Sequence, residues 1–161
     1  MVAFTLLVAS GGVSFAQDFQ KGWEALQRGD YATALRELRP LAVQGDATAQ
    51  GVLGLMYENG QGVAQDYKEA VKWYRKSAEQ GIEVAQSALG GMYRLGRGVI
   101  QDYNEAAKWY RKSAEQGWES AQFNLGLMYY NGHGVIQDYN QALKWWRKAV
   151  EQGHVNAQVM L

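Results

Sequence analysis

Reactive chemistry in this chain would have to come from very few groups. The two histidines, His133 and His154, fall in a loop and at a helix start, with no second imidazole placed to make a ligand pair, so no metal centre is expected. There is no cysteine, which removes thiolate ligands and any disulfide framework. Gly60-Gln61-Gly62 superficially resembles a phosphate-cradling loop. It follows a helical pattern, however, and lacks both the further glycine and the Lys-Ser/Thr pair that such a loop needs. No Ser-His-Asp or Cys-His grouping can be drawn, because the acids sit at helix caps or on solvated faces. Aromatic and basic residues interleave at Trp73, Tyr74, Arg75 and Lys76, a composition that single-stranded nucleic acid can use. Those aromatics fall on an apolar face, and 16 basic against 16 acidic residues leave no net field for a polyanion. The expectation is a chain with no catalytic residue, no metal, no cofactor and no nucleic-acid partner.

What positions the surface is a repeat. Residues 46–81, 82–117 and 118–153 align as three units of 36 residues without a gap, and 20 of the 36 columns hold one residue type in all three. A period of this length means stacked supersecondary units. Within a unit, Ala49, Leu53, Met56 and Tyr57 recur at i, i+4, i+7 and i+8, one apolar stripe of a first helix over about 48–59. Gly54, Gly90 and Gly126 lie inside this helix at a cost of roughly 1 kcal/mol each relative to alanine, so another helix is expected to cross too closely for a side chain. Gly60 suits a left-handed helix end. Val63 is expected to plug the gap between the helices, and Asp66 to cap a second helix. Glu69, Glu105 and Gln141 stand three residues after the capping acid, the capping-box spacing. The second helix carries Ala70, Trp73, Tyr74 and Ala78 inward. Burying Trp73, Trp109 and Trp145 removes about 200 Å² each from water at roughly 25 cal/mol per Å², several kcal/mol apiece. Lys72, Arg75, Lys76 and Glu79 fall on the solvated side, with Arg75 and Glu79 spaced as an i, i+4 pair.

The flanks differ. Residues 1–16 read as a signal peptide: Val2 to Phe15 is uncharged and mostly small or apolar, with Ser14 and Ala16 at the −3 and −1 positions of a small-residue cleavage site. No Lys or Arg follows Met1, so either the start lies a few codons late or the signal is inefficient. The segment is short beside the roughly 20 residues of a membrane span. An uncleaved anchor and a cytoplasmic chain are the other readings. Residues 17–45 read as a capping hairpin turning at Arg28-Gly29-Asp30, whose second helix is expected to kink or end early at Pro40. Residues 154–161 begin a further unit, since Ala157, Gln158 and Leu161 match Ala121, Gln122 and Leu125. The last apolar face is then covered by further chain, by the terminal turn docking on Trp145 and Trp146, or by a second copy in a homodimer.

These residues carry a family resemblance. The run Ala-Gln-x-x-Leu-Gly-x-Met-Tyr-x-x-Gly-x-Gly-Val-x-Gln-Asp-Tyr, closing on Lys-Trp-x-Arg-Lys-x-x-Glu-Gln-Gly, resembles the Sel1-like repeat, a relative of the tetratricopeptide repeat with a longer, glycine-marked loop. It covers about two thirds of the chain, and the opening hairpin resembles a tetratricopeptide unit. The resemblance implies an all-α, α/α solenoid, a right-handed superhelix of stacked hairpins. It also implies a protein-binding adaptor, of a kind often found in bacterial secreted or periplasmic proteins and in signalling complexes, with no catalytic residues to carry over.

A binding face can be sought by comparing units. Columns 48, 51, 52, 55, 58 and 59 vary and share about a third of the first helix's circumference. In the later units this stripe includes Val84, Ser87, Gly91 and Arg94, then Ser120, Phe123, Leu127, Tyr130 and Asn131. By analogy with tetratricopeptide stacks it lines a concave groove for a protein or peptide, with Phe123, Tyr130 and Arg94 of the types that anchor peptides. Alternatively these columns drift unselected, or Phe123 and Leu127 pack between repeats. The expected role is a non-catalytic scaffold in the periplasm or outside the cell. The rival is a regulator of a cell-envelope enzyme that docks the enzyme or contacts cell-wall glycan.

Overall fold

A computed structural model describes residues 4–161, with side chains from Phe15 onward. The described residues form helices and no strand: α1 Phe4–Gln27, α2 Tyr31–Gln44, α3 Ala47–Asn59, α4 Tyr67–Glu79, α5 Glu83–Leu95, α6 Tyr103–Glu115, α7 Glu119–Asn131, α8 Tyr139–Glu151 and the short α9 Val155–Gln158. Each helix packs mainly on its neighbours in sequence, which makes an α/α solenoid of stacked hairpins. In each 36-residue unit the odd-numbered helix is the first of the hairpin and the even-numbered helix the second.

Helix ends follow backbone stereochemistry. Gly60, Gly96 and Gly132 end α3, α5 and α7 in the left-handed region, which a residue without a Cβ enters freely. Asp66, Asp102 and Asp138 cap α4, α6 and α8, each accepting from the backbone N–H groups two and three residues on. The capping box is only half formed. The capping aspartate's own N–H donates to the carbonyl of Tyr57, Tyr93 or Tyr129 across the loop, leaving the glutamates free for Lys72 and Lys108.

One further expectation is corrected in part, since no early helix end follows Pro40. Helix α2 runs through Pro40 to Gln44. The proline is exposed, and beyond it Leu41 and Ala42 continue the buried stripe of Ala34 and Leu38. Helix α1 spans Phe4–Gln27 among the described residues. The segment read as a signal therefore overlaps α1; residues 1–3 lie outside the described residues, and of 4–14 only the helical backbone is described. Among the described residues no helix is long and apolar enough to cross a membrane.

The core is a file of four clusters, and an adjacent aromatic pair on each second helix links them. Trp73, Trp109 and Trp145 each pack with residues of the preceding hairpin and of their own first helix. Tyr74, Tyr110 and Trp146 point forward into the next cluster. Neighbours on a helix diverge by about 100°, so one pair serves two interfaces. The forward ring lies on the helix glycine of its own unit: a Cβ on Gly54 would sit 2.6 Å from Tyr74, and one on Gly90 2.9 Å from Tyr110. Gly22 on α1 stands in the same relation to Leu38 of α2, at 2.6 Å.

Polar ties repeat with equal regularity. Buried Gln50, Gln86 and Gln122 donate to the carbonyls of Ala42, Ala78 and Ala114, which also accept from the N–H groups of Gly45, Gly81 and Gly117. Gln80, Gln116 and Gln152 then donate to those glutamines at 2.8 Å. Ser77 and Ser113, both fully buried, bond Ala47 and Glu83 carbonyls at 2.7 Å. Arg75 does not pair with Glu79. It reaches the Tyr93 hydroxyl in the next unit, as Arg39 reaches Tyr57 and Arg111 reaches Tyr129, so this column clasps successive hairpins. The indole N–H of Trp109 donates to Glu105, whereas buried Trp73 Nε1 has no protein acceptor and Lys72 donates to both Glu69 oxygens.

Candidate functional site

The first helices of successive hairpins line one face of the solenoid. Where α1, α3 and α5 come together they enclose an open groove of about 370 Å³ with almost wholly apolar walls. Val52, Ala85 and Ala88 line it beside Leu55, Val84 and Trp23, and Thr48, Gly51, Glu58, Tyr74 and Ile82 complete it. Leu55 is 38 % exposed and Val84 47 %, so both offer apolar surface to a visitor. Gly51 and Ala88 are small residues in the groove lining.

In column 58/94/130 each residue meets the tip of the forward ring of its own unit, and of the three only Glu58 lines the groove. Glu58 accepts from the Tyr74 hydroxyl at 2.7 Å. Burial drives the Tyr74 phenol far above its ordinary range, and the Glu58 carboxylate adds to this, so the tyrosine stays a donor. Arg94 Nε donates to the Tyr110 hydroxyl at 3.4 Å; burial raises that phenol while the guanidinium opposes the rise. Tyr130 lies 5.7 Å from the Trp146 ring and 5.4 Å from Tyr139. Glu58 and Arg94 are half-buried, and neither forms an ion pair among the described residues.

The residues singled out from sequence separate into two groups. Val84 lines the groove, and Ser87, Gly91 and Arg94 follow it along α5. Phe123 and Leu127 are partly buried against the last cluster around Trp146, with Phe123 also stacked on His154 at 4.7 Å. Ser120 and Asn131 sit at the two ends of α7, Ser120 accepting from Asn124 and Asn131 donating to the Leu127 carbonyl at 2.9 Å. Tyr130 is exposed. Sequence reasoning missed Trp23, which belongs to the N-terminal hairpin, and Tyr74, taken there only as a core residue. It also passed over Leu55 and Glu58, although their columns were the varying ones.

The histidines have structural occupations. His133 stacks on Tyr103 at 4.5 Å, and His154 caps α9, its Nδ1 accepting from the Ala157 N–H. Among the described residues no group of His, Asp or Glu is clustered as metal ligands would be. Helix α9 places Ala157, fully buried, on the cluster that contains Trp146, with Met160 packed at its side; Trp145 belongs to the cluster before.

The sequence profile of the Sel1 repeat matches residues 47–82, 84–118 and 119–154. The chain belongs to the Sel1 repeat family. Sel1 repeats are typically non-catalytic helical scaffolds, and their general role is protein–protein interaction. Among solved structures, a protective antigen of uropathogenic Escherichia coli strains with an SLR fold is 40% identical, with a TM-score of 0.86 over 98% of this chain and 35% of that one. A Sel1 repeat protein from Oxalobacter formigenes is 37% identical, with a TM-score of 0.82 over 86% of this chain and 57% of that one. The chain thus spans about a third and somewhat over half of these two relatives. The cysteine rich protein B of Helicobacter pylori shares the fold alone, at 22% identity and a TM-score of 0.65 over 82% of this chain and 95% of that one. A search of curated proteins returns no match.

Proposed function

We propose that this Sel1 repeat chain is a non-catalytic scaffold that binds a protein or peptide along its concave face, in the periplasm or outside the cell. The observation that carries the reading is the apolar groove across α1, α3 and α5, walled by residues that are exposed yet preformed on rigid helices. A preformed concave apolar site admits a ligand with little ordering cost to the receptor. Helical hairpins fix those walls through core contacts on their opposite faces, so the groove can be altered without unfolding the scaffold.

The test is affinity capture from an envelope extract of the source cells, with Leu55→Asp and Val84→Asp beside the unaltered chain. Each substitution is expected to reduce recovery of the specific partner about tenfold or more, since it puts a charge on a surface the partner must desolvate. Equal recovery by all three would remove the groove from the account. Retention on insoluble cell-wall glycan in place of a protein would favour the rival envelope reading. A homodimer closing over α9 would bring together the exposed Val155, Val159 and Leu161. Sedimentation velocity at micromolar concentration checks it, and a single monomeric boundary counts against it.

A further inference from the structure

The groove carries a charge as well as apolar surface. Of the described residues that line it, Glu58 alone is charged, and no lysine or arginine shares the lining. Glu58 Oε2 accepts from the Tyr74 hydroxyl at 2.7 Å, which orients the side chain without cancelling its charge. The carboxylate forms no ion pair among the described residues, so its charge is left for an incoming group. The same position holds Arg94 and Tyr130 in the next two units, neither of which lines the groove, so the negative position is particular to this site. Since the whole chain carries no net charge, a preference for a cation here is a local property.

Spacing defines what can use both features. Leu55 and Glu58 both line the groove and stand three residues apart on α3, so an apolar and an acidic position are neighbours about 5–6 Å apart on one helix face. In an extended peptide, side chains two residues apart point the same way and lie about 7 Å apart. Resting on the groove reading above, we propose that the groove takes an extended peptide segment that presents an apolar and a basic side chain two residues apart. The apolar side chain lies against Leu55 and Val84, and the basic one meets Glu58. An unpaired charge beside an apolar site sets which partner fits more than how tightly any partner binds.

The probes are four capped peptides built around one phenylalanine and symmetric, so that either chain direction presents the same pattern: Lys-Ser-Phe-Ser-Lys, Glu-Ser-Phe-Ser-Glu, Ser-Ser-Phe-Ser-Ser and Ser-Lys-Phe-Lys-Ser. The last has the composition of the first, with its charges turned to the face opposite the phenylalanine. Binding is followed by calorimetry and by the amide NMR shifts of Leu55, Glu58 and Val84. Lys-Ser-Phe-Ser-Lys is expected to bind the unaltered chain about fivefold more tightly than the neutral peptide and about threefold more tightly than its rearranged isomer, with the glutamate peptide weakest and all differences shrinking as salt is raised. Glu58→Gln keeps an amide oxygen for the Tyr74 hydroxyl and should bring the lysine, glutamate and neutral peptides within about twofold. Glu58→Lys, a basic residue at this position as Arg94 is in the next unit, should turn the preference to the glutamate peptide. Glu79→Gln makes the same change of charge at an exposed position of α4 outside the groove, and should leave the preference as it is in the unaltered chain. Because Glu58 is half-buried and Glu79 exposed, circular dichroism is expected to show all three variants folded.

Equal binding of the lysine and glutamate peptides, equal binding of the two lysine peptides, a preference that survives Glu58→Gln, or no saturable binding of Lys-Ser-Phe-Ser-Lys up to about 5 mM overturns the proposal. The two readings fail separately. Val84→Ser removes apolar surface without adding charge. If it weakens all four peptides about threefold while they stay equal to one another, the groove stands and the selection of a basic residue falls. If it changes no affinity and Val84→Asp leaves partner capture unchanged, both fall.

Discussion

Replacing Gly134 by alanine is expected to lower the unfolding free energy by about 3–5 kcal/mol, among the largest single-site effects this chain offers. Gly134 has φ +67, where a Cβ costs roughly 1–2 kcal/mol. The larger part comes from where the loop rests. A Cβ there would run into the carbonyl of Tyr103 and the N–H of Asn104, the first turn of α6 in the preceding unit. That turn is fixed by the Asp102 cap, with Asn104 N to Asp102 at 2.8 Å, so backbone must move rather than a side chain tip. Gly117 is the control: its φ is +101 and nothing lies near its added Cβ, so alanine should cost only about 1–2 kcal/mol. Urea denaturation of both variants checks this, and equal losses would mean that the contact between loop and helix adds nothing.

Trp109→Ala is expected to cost about 3–5 kcal/mol and, in addition, to divide the array. Trp109 is 4% exposed and fills the cluster formed by Ala70, Val71 and Tyr74 of α4 with Leu89 and Met92 of α5. Its loss leaves a void at the junction between two hairpins, where a solenoid couples only through nearest neighbours. The expected signature is a urea transition that broadens or splits, with fluorescence and circular dichroism no longer coincident. Arg111→Ala, which removes only the clasp to the Tyr129 hydroxyl at 2.8 Å, should cost about 1 kcal/mol and keep one transition. A single sharp transition for Trp109→Ala with under about 1 kcal/mol lost would mean that the units are not joined through this indole.

Much of the architecture was legible because its causes are local. The recurring Asp-Tyr pair marks the start of α4, α6 and α8, since an aspartate side chain can satisfy N–H groups two and three residues away wherever the helix lies in the fold. The helix glycines announced a close crossing, and the crossing is there, although what crosses is a tyrosine or tryptophan ring rather than a bare backbone. Pro40 marks no helix end, because burial of Leu41 and Ala42 holds the turn beyond it, which local spacing leaves open. The Arg75 spacing misled in the same way: Glu79 is near in sequence, but Tyr93 is nearer in space.

The groove was half legible. Varying columns fall on the face of α3 and α5 that lines the groove, but comparison among units could not bring in Trp23, which lies outside the repeat. Nor could it separate Phe123 and Leu127, packed against the last cluster, from Tyr130, which stays exposed on the same helix.

By itself the sequence determined the period, the helix ends and which face of each helix is apolar, because these follow from backbone stereochemistry and from side-chain spacing within a few residues. Tertiary structure alone decided which interface each of the paired aromatics serves, which tyrosine each arginine clasps, and that an open apolar trough bordered by Glu58 lies across α1, α3 and α5. Those outcomes depend on the distance and tilt between helices that are sixteen to thirty residues apart along the chain. No short window of residues encodes that geometry.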